Sequence, residues 1–359
     1  MRDFLVIGGG IAGISAAARL SSLGECLVLE QEQHLAYHSS GRSAALYEVN
    51  YGSPSTIVLA KAGRKDFDSL LSGVLSPRGF MLLCLRGEET QYESDLEQMN
   101  LAEISMSEAV DIVPILNQKD VLRAAVSGTA QDIDTDMMVQ KFARQIRENG
   151  GQIETNHEVK SIKKMSDGWQ LNTDQGSFMA KILINAAGAW GDKVAEMANI
   201  PEIGLTPMRR SVVRLSPPSN LDVKGWPMLF GPGERWYAKP DAGGLIVSLA
   251  EETPSPPMDA WAHELDLAEA LARYQDYVTE PVTRPVASWA GLRTFAPDRS
   301  LVLGPAQNDS SFIWAVGQGG YGFFTAPAAS QFIADVAVGK EPNFDSKTLS
   351  DLSPSRFQS

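Results

Sequence analysis

Apolar residues in this chain gather in short runs, and three of the runs end in glycine-rich turns that lead into helical spacing. Phe4-Leu5-Val6-Ile7 is followed by Gly8-Gly9-Gly10-Ile11-Ala12-Gly13, then by apolar positions Ile14, Ala17, Ala18 and Leu20. Positions three and four apart share one helix face, so this stretch predicts strand, tight turn and helix. Ile182-Leu183-Ile184-Asn185-Ala186-Ala187-Gly188 opens a second unit, with its helix expected from about Asp192 to Asn199. Phe312-Ile313-Trp314-Ala315-Val316 and Gly317-Gln318-Gly319-Gly320-Tyr321-Gly322 open a third, with an Ala-rich helix expected from about Thr325 to Val338. Short turns from strand into helix imply a parallel sheet with ligands at the strand C-termini.

The intervals are patterned differently. Arg210-Ser211-Val212-Val213-Arg214-Leu215 mixes polar and apolar residues as a strand does. Arg235-Trp236-Tyr237-Ala238-Lys239 and Leu245-Ile246-Val247-Ser248-Leu249 flank Pro240-Asp241-Ala242-Gly243-Gly244, a hairpin signal. The breaker-rich Thr253-Pro254-Ser255-Pro256-Pro257 is expected as a surface loop, and the weakly patterned tail 346–359 is expected to fray.

Composition narrows the classes. A chain of 359 residues suggests two domains with ample core. Apolar content of 43% and charged content of 21% suit a globular protein. The net charge of −13 argues against nucleic acid and anionic membrane surfaces as partners. No apolar stretch reaches about 18 residues, so no integral membrane segment is expected. The first predicted strand begins at Asp3, which leaves no room for a signal peptide. Cys26 and Cys84 sit in apolar runs and are expected as buried, reduced thiols, which suits a cytoplasmic location. His34, His38, His157 and His263 show no metal-ligand spacing, so no metal is expected.

The first glycine turn carries chemistry. Gly8 allows the tight turn, Gly10 lets backbone approach a pyrophosphate, and Gly13 lets helix and strand pack closely. The helix N-terminus offers free N–H groups to the anion. The second apolar run, Cys26-Leu27-Val28-Leu29, ends in Glu30, suited to accept hydrogen bonds from a ribose. Together these form a dinucleotide-binding fingerprint. The fold class expected is α/β and α+β: a discontinuous Rossmann-like domain with an inserted antiparallel-sheet domain. The first would be built from residues 1–45, 138–205 and 290–345, the second from 46–137 and 206–289.

With these units placed, the chain resembles the superfamily of FAD-dependent D-amino acid oxidases and dehydrogenases, and within it the D-arginine dehydrogenase branch. Tyr37-His38-Ser39-Ser40-Gly41-Arg42-Ser43-Ala44-Ala45, Asp132-Ile133-Asp134-Thr135-Asp136, Asn185-Ala186-Ala187-Gly188-Ala189-Trp190, Trp289-Ala290-Gly291-Leu292-Arg293 and Gln318-Gly319-Gly320-Tyr321-Gly322 carry the likeness. It implies FAD and oxidation of an amino acid to an imino acid, by hydride transfer from Cα to flavin N5. Three glycine units also favour an extended FAD over NAD, because a helix N-terminus at the flavin would stabilise its reduced, anionic form. Neither cysteine lies near the third unit, so the FAD is expected to be non-covalent. The cofactor set implied at the first two strands is Gly8, Gly10, Ile11, Ala12, Gly13, Glu30 and Gln31. Ser40, Arg42, Ser43, Ala44 and Ala45 follow, with Arg42 and Ser43 near enough to reach phosphate or flavin. Val159, Ala187, Gly188, Trp190, Gly319, Gly320, Tyr321 and Gly322 complete it.

The same resemblance assigns Arg293 and Arg210 to the substrate carboxylate, a role suited to the planar guanidinium fork. Tyr51 and Tyr237 match tyrosines that hydrogen-bond that group, and Gly320 matches a carbonyl that accepts from the substrate amine. Where the D-arginine branch has histidine, glutamate and glutamine, this chain has Leu46, Phe80 and Phe324. The pocket is therefore expected to prefer a D-amino acid with an apolar or aromatic side chain. Glu48 stands where that branch has threonine; turned inward, it would restore a taste for cationic D-amino acids. The alternative substrate is a secondary amine, either N-alkyl or proline-like. The expected electron acceptor is either O2 or another, unidentified molecule.

Overall fold

The computed structural model describes residues 1–218, 221–282 and 284–357. The three glycine-ended runs become neighbouring parallel strands: Arg2–Ile7 beside Gly176–Asn185, and Gly176–Asn185 beside Asp309–Val316. Cys26–Leu29 and Gln152–Glu154 extend the parallel side. The ribbon Val159–Met165 and Gly168–Thr173 runs off the first half of Gly176–Asn185, and Val302–Ala306 returns antiparallel on Asp309–Val316. Both faces are covered. Phe4 and Val6 point to a core shared with helices Ile11–Leu20 and Gly322–Ala337. Leu5 and Ile7 point to a core shared with Trp169, Trp314 and Val194. Burial on both sides is why these strands are continuous apolar runs rather than alternating ones.

A second sheet has nine strands among the described residues. It runs from Thr253–Pro254 through Thr206–Leu215, Gly244–Ser248, Tyr237–Asp241, Met228–Phe230 and Phe80–Leu85 to Val121–Ser127 and Ala102–Ile104, and the ninth strand, Ala287–Phe295, pairs with Thr206–Leu215. The expected hairpin is Tyr237–Asp241 with Gly244–Ser248, turning at Ala242 and Gly243, both at positive φ (47° and 81°). Two such residues give the turn the right-handed twist of its strands. Helix Glu264–Tyr277 covers this sheet, with Tyr274 and Tyr277 packed on Trp236. Leu46–Tyr47, Gln131–Ile133 and Leu75–Pro77 form a third, small sheet.

Several expectations shift. Residues 290–295, assigned from sequence to the cofactor segments, belong to Ala287–Phe295, which pairs with Thr206–Leu215 through the register Thr206↔Phe295. Long-range pairing sets that boundary, and no local signal marks it. The tail does not fray throughout: Ser346–Leu352 is a helix capped by the Asp345 side chain, with Leu352 fully buried. Thr253–Pro254 pairs briefly as an edge strand. The third helix begins at Gly322, three residues before the expected start. No helix among the described residues is long and apolar enough to cross a membrane.

Candidate functional site

The parallel strands present their C-terminal ends to one elongated trough. At its start Gly8 holds φ +110°, and a Cβ there would lie 2.5 Å from the Ala186 carbonyl oxygen. A Cβ on Gly13 would lie 1.9 Å from the Gly8 carbonyl oxygen, so helix and turn meet only because both residues are glycine. Gly10 caps the helix without a side chain. The Ile11 N–H donates to Ser40 Oγ at 3.0 Å. Glu30 is buried and accepts from the Gly9 N–H at 2.5 Å and the Glu32 N–H at 2.8 Å. Burial raises its pKa against the pull of these donors. Each carboxylate oxygen keeps a lone pair for a further donor. Gly8, Gly10, Glu30, Gln31, Val159, Ala187, Gly188 and Trp190 line this first cavity, of about 500 Å³. His38 borders it too, against Trp190 and paired with Glu32 at 2.8 Å.

A narrower slot of about 140 Å³ continues the trough, sharing Gly10, Ser40 and Gly188 with the first cavity. Ile11, Ala12, Ser43, Ala44, Ala45, Gly319, Gly320 and Gly322 line it. Thr294 and Gln318 also line it, and Thr294 Oγ1 and Gln318 Oε1 are buried without a partner. A buried polar atom left unpaired is costly. Glycine turn, ribose-type carboxylate, long trough and waiting polar atoms together fit an extended dinucleotide.

Three members of the expected cofactor set stand differently. Arg42 borders the slot, but its guanidinium donates to the carbonyls of Tyr37, Ala260 and Ala290 and to Asp259. It clamps the loop to the second sheet and is not free for a phosphate. Tyr321 lies outside the slot, edge-on to Tyr51 at 5.4 Å, beside an outer cavity that also holds Asp95, Glu252 and Arg299. Gly13 lines neither cavity and acts through packing.

From the slot opens a third cavity of about 80 Å³. Arg293, Arg210, Tyr51, Tyr237, Gly320, Leu46, Glu48, Phe80 and Phe324 all line it. The register explains the arginines: Arg210 faces Gly291 and Met208 faces Arg293 across one antiparallel pair. With a period of two, both side chains fall on the same face. Among the described residues the Arg293 guanidinium has no hydrogen bond or ion pair within the protein. It lies over Gly320, where a Cβ would come within 2.9 Å of its Cζ. Burial lowers its pKa, but Tyr51, Tyr237 and Glu234 more than offset this and leave it raised. Arg210 is 6% exposed; it donates to the Glu251 carbonyl at 3.2 Å and lies 3.4 Å from Glu252. Burial and then Arg293 lower its pKa. The Tyr51 hydroxyl donates to Glu234 at 2.8 Å, and burial raises its pKa well above the usual range. Two guanidinium groups and two phenols thus line one small cavity, together with the Glu234 carboxylate that Tyr51 holds.

The walls include residues that sequence reasoning missed: Met99, Met228, Phe230, Glu234 and Trp236. Phe230 stacks on Phe80 at 3.9 Å, brought there by the parallel pairing of Met228–Phe230 with Phe80–Leu85. No motif announces a pairing between strands so far apart in sequence.

A family model described as FAD dependent oxidoreductase matches residues 3–336. Mitochondrial dimethylglycine dehydrogenase of Homo sapiens is 25% identical over 391 residues, covering 99% of this chain. The chain spans 44% of that protein's length. The crystal structure of glycine oxidase from Geobacillus kaustophilus superposes with a TM-score of 0.85 at 21% identity, covering 99% of this chain and 98% of the other. L-proline dehydrogenase from P. horikoshii gives 0.84 at 23%, covering 99% and 97%. At these identities the structures share the fold.

Proposed function

The chain belongs to the FAD-dependent oxidoreductase family, and from that premise we propose that it oxidises an amino acid at Cα to the imino acid. One observation carries this reading: the half-buried Arg293 guanidinium, without a partner among the described residues, beside the buried Arg210, in a cavity that opens onto the cofactor trough. A guanidinium that no protein acceptor occupies keeps its planar fork available to both oxygens of a ligand carboxylate.

In this reading Arg293 and Arg210 grip the carboxylate and the Tyr237 hydroxyl donates to it, while Tyr51 joins them by turning its hydroxyl from Glu234. The Gly320 carbonyl accepts from the amine and fixes which face of Cα points into the slot. The apolar walls keep water out and favour the neutral amine, the form from which Cα–H leaves as hydride. When bound in the trough, FAD supplies the two-electron acceptor for that hydride. Its attachment is non-covalent, since burial pushes the Cys26 thiol up to about 12 and the Cys84 thiol up to about 11. Neither cysteine borders the trough. Electrons then pass to O2 or to another acceptor.

The substrate class follows from the walls. Leu46, Phe80, Phe230 and Phe324 offer an apolar side chain roughly 1.5–3 kcal/mol of burial. The D enantiomer rests on the motif resemblance to D-arginine dehydrogenases. A secondary amine is the second reading, favoured by relatives named for dimethylglycine and L-proline. The parallel-sheet part is assigned to the cofactor and the nine-stranded sheet to the substrate.

The test is anaerobic mixing of the purified flavoprotein with D-, L- and N-methyl amino acids while following flavin absorbance. D-Leu, D-Met or D-Phe should bleach the flavin fastest. A flavoprotein that none of these substrates bleaches would refute the proposal, and faster bleaching by N-methyl substrates would favour the second reading.

A further inference from the structure

The substrate cavity is lined by groups of opposite charge. Arg210 and Arg293 supply cations, and Glu234 is held by Tyr51. Glu48 lines it too, 3% exposed, in a wall that includes Leu46, Phe80, Met228 and Phe230, an unusual place for a carboxyl group.

Its surroundings supply no counter-charge. On its own segment the Asn50 N–H donates to Oε1 at 3.1 Å. From strand Val121–Ser127 the Ser127 hydroxyl reaches Oε2 at 3.4 Å. Asp132, on the neighbouring strand, is already held by Arg78 and Lys239. Tyr47 lies against Arg64 of helix Pro54–Asp68. The titratable groups facing across the cavity are Tyr51, Tyr237, Glu234, Arg210 and Arg293. Of these, Arg210 is turned to Glu252, and Tyr51 to Glu234. Among the described residues no cation lies within ion-pair distance of Glu48.

Resting on the proposed amino acid oxidation, we propose that Glu48 reads the far end of the substrate side chain. Ionised, it takes an ammonium or another cationic end; neutral, it lets an apolar side chain fill the same space. An ionised carboxylate facing a methyl group would be buried without a partner, whereas facing an ammonium it completes an ion pair. The arginines hold the carboxylate of either substrate alike, so the choice falls to Glu48. Burial pushes its pKa above the ordinary glutamate value, which moves the changeover up in pH. One carboxyl thus gives the pocket two preferences, apolar at lower pH and cationic at higher pH.

Lysine and norleucine of the same hand test this, because they differ only in the terminal ammonium. Their kcat/KM ratio, measured from about pH 4.5, the ordinary glutamate value, to about pH 9, largely cancels the titration of the α-amine and stays below the side-chain ammonium pKa. The lysine-to-norleucine ratio should rise at least about tenfold across this range in the wild type and stay flat in Glu48→Gln. Glu48→Asp, which keeps the charge, should retain part of the rise and serves if the Gln variant folds poorly. A flat wild-type ratio, or an equal rise in Glu48→Gln, overturns the role of Glu48 while leaving amino acid oxidation standing. Flavin that neither substrate reduces at any pH overturns both.

Discussion

Replacing Arg293 by Met should separate function from stability. The guanidinium is half-buried where slot and cavity meet, lies over Gly320, and has no partner in the protein among the described residues. In the proposed function its favourable contacts are made with the ligand. Losing a charge-assisted, bidentate contact costs about 3 kcal/mol, so kcat/KM on the best amino acid should fall about a hundredfold or more. KM should rise, because the lost contact anchors the substrate. Part of the loss should appear in kcat, because the same contact orients Cα. Stability should move little. The half-buried guanidinium makes no hydrogen bond or ion pair among the described residues, so its loss should change the unfolding free energy by no more than about 1 kcal/mol. Arg42→Met is the control: four hydrogen-bonded partners hold its guanidinium, and losing them should destabilise the protein by about 2 kcal/mol or more. Steady-state kinetics under matched acceptor and urea unfolding of both variants decide the matter. An Arg293→Met protein within threefold or so of wild-type kcat/KM, or one as destabilised as Arg42→Met, would remove Arg293 from the substrate site.

Gly13→Ala should cost about 3 kcal/mol and leave the protein largely free of FAD, since its Cβ would fall 1.9 Å from a backbone carbonyl; a yellow preparation with wild-type unfolding would contradict this. Glu30→Ala should weaken FAD retention at least about tenfold, read by flavin fluorescence after ultrafiltration, because the carboxylate both braces the Gly9 N–H and faces the trough. Glu48→Gln should gain stability over wild type as pH rises. The raised pKa means that the folded form of the wild type holds its proton longer than the unfolded chain does. Wild-type stability therefore drains away above the ordinary value of about 4.5, and the variant escapes that loss. Unfolding midpoints that keep the same separation from about pH 4 to about pH 8 would speak against it.

Much of this protein was set by residues close together in sequence. The strand–glycine–helix units were legible because turn conformation, helix spacing and apolar runs depend on neighbours a few positions away. Gly8 and Gly13 need no more than their own strand and helix to be recognised. Of the nine residues named for the substrate site, five came from motif matches and four, Leu46, Glu48, Phe80 and Phe324, from departures from that motif; all nine line one cavity. Pairing across the chain decided the rest. Residues 290–295 follow Thr206–Leu215 because register, rather than composition, assigns a strand to a sheet. Phe230 meets Phe80 through a parallel pairing that no local pattern encodes. Arg42 looked free for phosphate until Ala260 and Ala290, over 200 residues later, supplied their carbonyls. Glu48 was visible as an odd substitution, but that it faces the cavity without a counter-charge follows only from what folding packs around it. Sequence fixes what each side chain can donate, accept or exclude; the tertiary packing decides which partner is within reach, and hence which of those capacities is left over for a ligand.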